Sequence, residues 1–243
     1  MTDIPRNALL TGASLGLGRA LALALARLGW RLAIDARRPD LLETARRELA
    51  QHTQVQALAG DVADPAHRRS LVESAAAAGP LDLVVNNASQ LGGSPPPRLR
   101  DLTAETAARL FAVNVVAPQE LLRLVLPRLS QRAVILNVSS DAAVEHYEGW
   151  GGYAATKAAL DHLTLTWAVE EPQHCWYAVD PGDLRTELHQ AAFPGEDITD
   201  RPEPETVVPD LVKLIGSGRP SGRYRVQDLS APAPAADLQE VRS

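Results

Sequence analysis

Short apolar runs alternate with helix-period segments along the chain from residue 7 onward. NALLTG (7–12) ends at a Thr-Gly pair, and GRALALALARLG (18–29) reads as a helix that Gly29 closes. WRLAIDA (30–36) is the next strand and PDLLETARRELAQH (39–52) the next helix. QVQALAGDV (54–62) is again a strand, residues 65–79 a helix stopped at Gly79, and LDLVVNNAS (81–89) a strand. A Pro-rich loop (92–102) leads to a long helix over 103–129, with Thr103 and Thr106 as caps and Pro118 and Pro127 as kink points. RAVILNVSS (132–140) is a fully apolar strand, 152–171 a helix and CWYAVDPG (175–182) a strand. Residues 187–204 carry Pro, Gly and acids and read as a mobile flap; 205–215 is a last helix and 222–229 a last strand. The tail from 231 to 243 lacks apolar periodicity and reads as disordered.

Strict alternation of buried strands with helices calls for parallel βαβ units. The expected architecture is α/β: a Rossmann-like doubly wound parallel sheet of six to seven strands, three layers, in one domain spanning 1–230. The 243 residues, 45% apolar, suffice for a large core. A formal charge of −6 leaves no basic footprint, so nucleic acid and anionic membranes are not expected partners. The first residues show no basic segment followed by a long apolar one, and the apolar run 20–28 is short and broken by Arg27, so a cytoplasmic location is expected. Cys175 is the only cysteine, which excludes an internal disulfide and a cysteine metal cluster; no metal site is expected.

Two stretches carry candidate chemistry. TGASLGLG (11–18) lies between the first strand and the first helix, where Gly12, Gly16 and Gly18 let backbone N–H groups approach a pyrophosphate. In GGYAATKAALDHL (151–163), Tyr153 and Lys157 stand four apart on one helix face. Of the 24 basic residues only Lys157 and Lys213 are lysine, so the choice at 157 points to a compact ammonium with rotatable donors. Such a charge can lower the pKa of the Tyr153 phenol and bind ribose hydroxyls, while Ser140 at the end of its strand holds a carbonyl or alcohol oxygen. Ser139 competes with Ser140 for that place. His146, Tyr147 and Trp150 lie between Ser140 and Tyr153, where either pocket lining or loop packing fits them; the HCW segment (174–176) reads as core strand entry.

The glycine spacing is T-G-x-x-x-G-x-G, and with GDV (60–62), NNAS (86–89), Asn114, Ser140 thirteen residues before Tyr153, YAATK and DPGDLRT (180–186) the chain resembles the short-chain dehydrogenase/reductase family over roughly residues 6–229. The resemblance implies an NAD(P)-dependent oxidoreductase acting on a carbonyl/alcohol pair, with Asn114, Ser140, Tyr153 and Lys157 catalytic and Asn114 positioning a water. It implies that Gly12, Ser14, Leu15, Gly16, Leu17, Gly18, Arg37, Asp61, Val62, Asn87, Ala88, Tyr153, Lys157, Pro181, Gly182, Leu184 and Thr186 bind the cofactor, Asp61 through the adenine amine. Ser89 stands where the family keeps glycine. Relatives that use NAD carry an acid where this chain has Ala36; alternation turns Asp35 away from the ribose, and Arg37 matches relatives that take NADP, so NADP is expected over NAD. Arg38 either assists or is a solvated charge.

The other readings are a catalytically silent NADP(H)-binding sensor and a non-redox dehydratase or epimerase. Retention of Ser140, Tyr153 and Lys157 counts against the first, and the 243-residue length against the second. The resemblance also implies a homodimer or homotetramer formed through the helices 103–129 and 152–171. The substrate is expected to be a small carbonyl or alcohol, with the flap shaping the pocket; Arg185 and His189 are unassigned there.

Overall fold

In the computed structural model, residues 6–229 are described; the tail from 231 to 243 lies outside them. Seven strands form one sheet: β1 (Asn7–Leu10), β2 (Arg31–Ala36), β3 (Val55–Ala59), β4 (Leu81–Asn86), β5 (Leu129–Val138), β6 (Cys175–Asp180) and β7 (Gly222–Arg225). Their order is β3-β2-β1-β4-β5-β6-β7, and every pairing is parallel. The order reverses between β1 and β4, so the ends of these strands part there and leave a crevice at their carboxyl edge.

The helices are α1 (Gly16–Arg27), α2 (Pro39–Leu49), α3 (Pro65–Ala76), α4 (Ala104–Phe111), α5 (Ala117–Val125), α6 (Gly151–Glu170), α7 (Glu187–Ala192), α8 (Val208–Ser217) and the single turn α9 (Val226–Leu229). One core layer packs α1, α2, α8 and α9 on the sheet through Leu21, Leu25, Leu42, Leu211 and Val226. The other packs α3, α5 and α6 through Leu71, Leu121, Val125 and Trp176, with Trp167 stacked on Trp176 at 5.4 Å. Each such fully buried leucine contributes about 1.5–3 kcal/mol, which is why the apolar strand runs were readable.

Four expectations need correction. The helix over 103–129 is interrupted by a π-helical turn at Ala112–Val116 and ends in a 3-10 turn at Leu126–Arg128. Pro118 falls in the first turn of α5, just after the widened turn, where its missing N–H is tolerated. Thr103, not Thr106, caps α4, its hydroxyl accepting from the Thr106 N–H at 3.1 Å. The flap 187–204 holds α7, with His189, Ala192 and Ile198 buried. The last strand ends at Arg225, because the chain turns into α9 to bury Val226.

By length and composition the helical run Ala104–Arg128 would suffice to cross a membrane, and 50% of its most apolar window is buried inside this fold. Phe111, Val116, Leu165 and Val169 on α4, the π turn and α6 remain exposed.

Candidate active site

The crevice opens as a cavity of about 1330 Å³. At its floor, Gly12 and Gly16 take φ of +66° and +52°, a left-handed backbone that favours glycine. A Cβ on Gly12 would lie 2.9 Å from the Ala88 Cα, so the turn and the end of β4 touch backbone to backbone. Asn87 clasps them together, its side-chain amide donating to the carbonyls of Thr11 (3.0 Å) and Gly12 (2.9 Å). Gly18 does not reach the cavity: a Cβ there would collide with the Gly12 carbonyl and the Asn87 amide, so this glycine serves close packing of α1.

Asp35 lies beneath the turn, fully buried. It accepts from the Gly12 N–H at 2.9 Å, and its other carboxylate oxygen is 3.0 Å from His67 Nε2. Burial pushes its pKa up against the pull of His67 and the Gly12 amide. The acid is thus consumed in bracing the turn, as alternation along β2 requires. Ala36 is buried at the rim, and Arg37 and Arg38 follow it exposed, both lining the cavity. Arg38 pairs with Glu187 of α7 at 2.5 Å. Arg37 has no hydrogen bond among the described residues. Asp61 accepts from the Ala63 N–H at 2.8 Å and pairs with Arg109; burial pushes it up, but these partners and Arg37 hold it below the usual carboxylate range.

At the opposite end, β5 and α6 bring Ser140, Tyr153 and Lys157 to one wall of the cavity. Lys157 is buried, donates to the Val138 carbonyl at 2.8 Å and sits 5.4 Å from the centroid of the Tyr153 ring. Burial lowers its pKa to about 8, opposed by Asp161 one turn on. The Tyr153 phenol is pushed up by burial, and the hydroxyls of Ser89 and Ser140, which face it, pull only partly the other way. A depression of that phenol by Lys157 is not seen: the ammonium lies over the ring rather than at the oxygen, and desolvation dominates.

Ser140, not Ser139, faces the phenol; the Ser139 hydroxyl faces Asp161. Arg223 from β7 ties this wall together, donating to the Ser140 carbonyl and the Asp161 carboxylate, each at 2.9 Å.

Ser14, Leu15, Gly16, Leu17, Val62, Asn87, Ala88, Pro181, Gly182, Leu184 and Thr186 all line the cavity. Asn114 does not. It is buried behind it, accepting from the Gln90 N–H and donating to the Gln90 carbonyl and the Thr156 hydroxyl, all at 3.0 Å. Tyr147, Trp150 and His189 line the cavity; His146 and Arg185 do not, Arg185 pairing with Glu203. His174 is core, its ring accepting from the Ala133 N–H at 3.2 Å. Among the described residues no cluster of His, Cys, Asp or Glu is placed to hold a metal ion.

Sequence reasoning missed Asp141 and Phe193. Asp141 directly follows Ser140 and takes hydrogen bonds from Ser140 and Tyr147; its adjacency was a usable signal. Phe193 reaches the site only because α7 folds back, which no local pattern announces.

Comparison with known proteins agrees in outline. The profile of the short chain dehydrogenase family matches residues 6–197. L-xylulose reductase of Bos taurus is 34% identical over 193 residues, covering 77% of this chain and 75% of its own. An alcohol dehydrogenase of Thermococcus sibiricus, solved with 5-hydroxy-NADP, is 28% identical with a TM-score of 0.82 over 90% of this chain and 95% of its own. A short chain dehydrogenase of Escherichia coli, solved with NADPH, is 26% identical with a TM-score of 0.81 over 93% of this chain and 99% of its own.

Proposed function

Because the chain belongs to the short-chain dehydrogenase/reductase family, oxidoreductases that work with nicotinamide cofactors on CH–OH and C=O groups, we propose that it is an NADP(H)-dependent enzyme using Tyr153 as its acid/base. The observation that carries the reading is the convergence of Ser140, Tyr153 and Lys157 on the same cavity that the glycine turn floors. The residues suit a dinucleotide: positive-φ glycines whose bare backbone leaves room for a pyrophosphate at the start of α1, and an exposed Arg37 beside the buried Ala36. When bound, the nicotinamide supplies or accepts the hydride.

The chain's own residues handle the proton and the oxygen. Ser140 holds the substrate oxygen, and Tyr153, protonated at neutral pH because burial raises its pKa, donates to that oxygen as the carbonyl carbon is reduced. In the reverse direction Tyr153 takes the proton from the alcohol, so oxidation speeds up as pH rises. Lys157 holds positive charge below the phenol and binds the ribose side of the cofactor. Asn114, bonded to Gln90 and Thr156, fixes the π turn against α6.

Arg37 pairs with the 2′-phosphate, and Asp35 takes no part in ribose recognition because Gly12 and His67 occupy it. Arg37→Ala is expected to lower kcat/KM with NADPH about 10–100-fold, the loss of a charge-assisted contact, and to leave kcat/KM with NADH nearly unchanged. Steady-state rates with both nicotinamides measure this; a wild-type preference for NADH overturns the NADP assignment. The exposed face carrying Phe111, Val116, Leu165 and Val169 suits a second copy of the chain, and light scattering reads out that assembly.

A further inference from the structure

The walls around Tyr153 differ sharply in chemistry from those around Arg37. Leu91, Ala142, Trp150, Leu188, Ala191 and Phe193 line this end of the cavity. Trp150 presents an edge to the Tyr153 ring (centroids 5.6 Å apart, planes at 72°) and is tilted against Phe193 at 6.1 Å; His189 lies 5.1 Å from Phe193. Trp150, Tyr153 and Phe193 belong to a small apolar cluster with Leu91, Ala142 and Ala192. A flat apolar group placed here meets ring faces and edges at ordinary stacking distances.

The charges point the same way. Asp141 adjoins Ser140 and lines this end. Burial would raise its pKa, but hydrogen bonds from Tyr147 (2.8 Å), Ser140 (2.9 Å) and the Ala142 N–H (2.7 Å) hold it below the usual carboxylate range. It is therefore a carboxylate that keeps the Tyr147 hydroxyl and the Ala142 N–H as donors when Ser140 turns its one O–H to the substrate oxygen, and it repels an anion. Of the cations that line the cavity, Arg37 and Arg38 follow β2 and Arg109 pairs with Asp61 near β3, away from this end. Lys157 does stand at this end, but buried, over the Tyr153 ring and donating to the Val138 carbonyl. Asp183 lines the cavity too, and Arg201 reaches it at 3.7 Å without lining the cavity itself. His189, the imidazole at this end, has Nδ1 3.9 Å from Asp183.

From this division of walls we propose that the substrate is an uncharged ketone or aldehyde carrying a flat apolar ring next to its carbonyl, or the matching alcohol, and that carboxylate- and phosphate-bearing substrates are turned away. The inference rests on the oxidoreductase reading above. In the reduction, hydride adds to the carbonyl carbon, the C=O π pair moves to oxygen, Tyr153 protonates that oxygen, and NADPH leaves as NADP⁺. The ring lies along Trp150 and Phe193, which fixes which face of the carbonyl is presented.

Methyl 4-acetylbenzoate and 4-acetylbenzoate share the ring and the ketone and differ by one negative charge and the ester methyl; the change of their ratio in an Asp141 variant reports the effect of Asp141. With NADPH and the full chain, kcat/KM is expected to be at least about 10-fold higher for the ester than for the acid, a contrast of the size one pocket contact commands. Asp141→Asn is expected to narrow that ratio. Trp150→Ala is expected to raise KM for the ester about 10-fold more than it raises KM for acetone, which is too small to reach the wall, while Trp150→Phe retains most of the ester's affinity. A ketopentose is expected to be a poor substrate. Equal turnover of acid and ester, a ketopentose used better than the ester, or a Trp150→Ala enzyme indifferent to the ring overturns the substrate class and leaves the oxidoreductase intact. Failure to reduce acetone, ester, acid and sugar alike overturns the enzyme reading, and this inference with it.

Discussion

Tyr153→Phe is expected to lower kcat about 10²–10⁴-fold, the usual contribution of a positioned general acid, while the Kd for NADPH moves by less than about tenfold. The substitution removes only the hydroxyl from a side chain that is 6% exposed, so the ring still fills its place against Trp150 and Lys157. What disappears is the hydroxyl facing Ser140, the proposed proton source. Fluorescence titration of NADPH and single-turnover reduction of a ketone separate the two effects. A variant that retains more than a tenth of wild-type kcat assigns proton transfer to another group.

Lys157→Met carries the second large effect, and its two readouts have opposite signs. Lowering a lysine from 10.5 to about 8 by burial costs the folded protein about 3 kcal/mol at neutral pH. The unfolded chain binds this proton up to pH 10.5 and the folded chain only to about 8. Wild-type stability therefore rises between those values, and below pH 8 the whole penalty is present. Methionine removes the charge and keeps the length of the side chain. The Val138 carbonyl loses its donor, which offsets about 1 kcal/mol, so a net gain of about 2 kcal/mol is expected.

For a chain of this size that raises Tm by about 4–8 °C at pH 7, and the gain shrinks as pH climbs above 8. Activity falls at the same time, because the charge beneath the phenol is gone. The wild-type rate of carbonyl reduction is likewise expected to decline as pH passes about 8, where Lys157 loses its proton while Tyr153 keeps its own. Calorimetry and a pH–rate profile check both signs; a destabilised Lys157→Met would show that the Val138 contact outweighs the buried charge.

The alternating pattern made the sheet legible because parallel strands buried on both faces need near-continuous apolar runs, and Ala8–Leu10, Leu32–Ile34, Leu83–Val85 and Trp176–Val179 are such runs. The glycine turn and the Tyr153/Lys157 pair were legible because each depends on local spacing. Alternation along β2 accounts for Asp35 pointing to the turn at Gly12, but its partner His67 comes from α3 and could not be foreseen. The π turn around Asn114 escaped because its residues are ordinary helix formers, and what widens the helix there is a tertiary grip on Gln90 and Thr156. The flap looked featureless by composition; α7 forms because Thr186 caps it, His189 is received by the cavity wall and Ala192 by the apolar cluster beside Tyr153. The tyrosine's protonation was misjudged because sequence gives the spacing of two side chains along a helix but not the desolvation of each.

The brace beneath the phosphate turn limits how this scaffold can be retargeted. An engineer wishing to favour the unphosphorylated nicotinamide would be tempted to slide the existing acid one position along β2. Asp35 is not free to move: taking it away leaves the Gly12 amide and the buried His67 ring without the acceptor that holds them. The workable design installs a second carboxylate at Ala36, relieves Arg37 of its charge, and leaves the first in place.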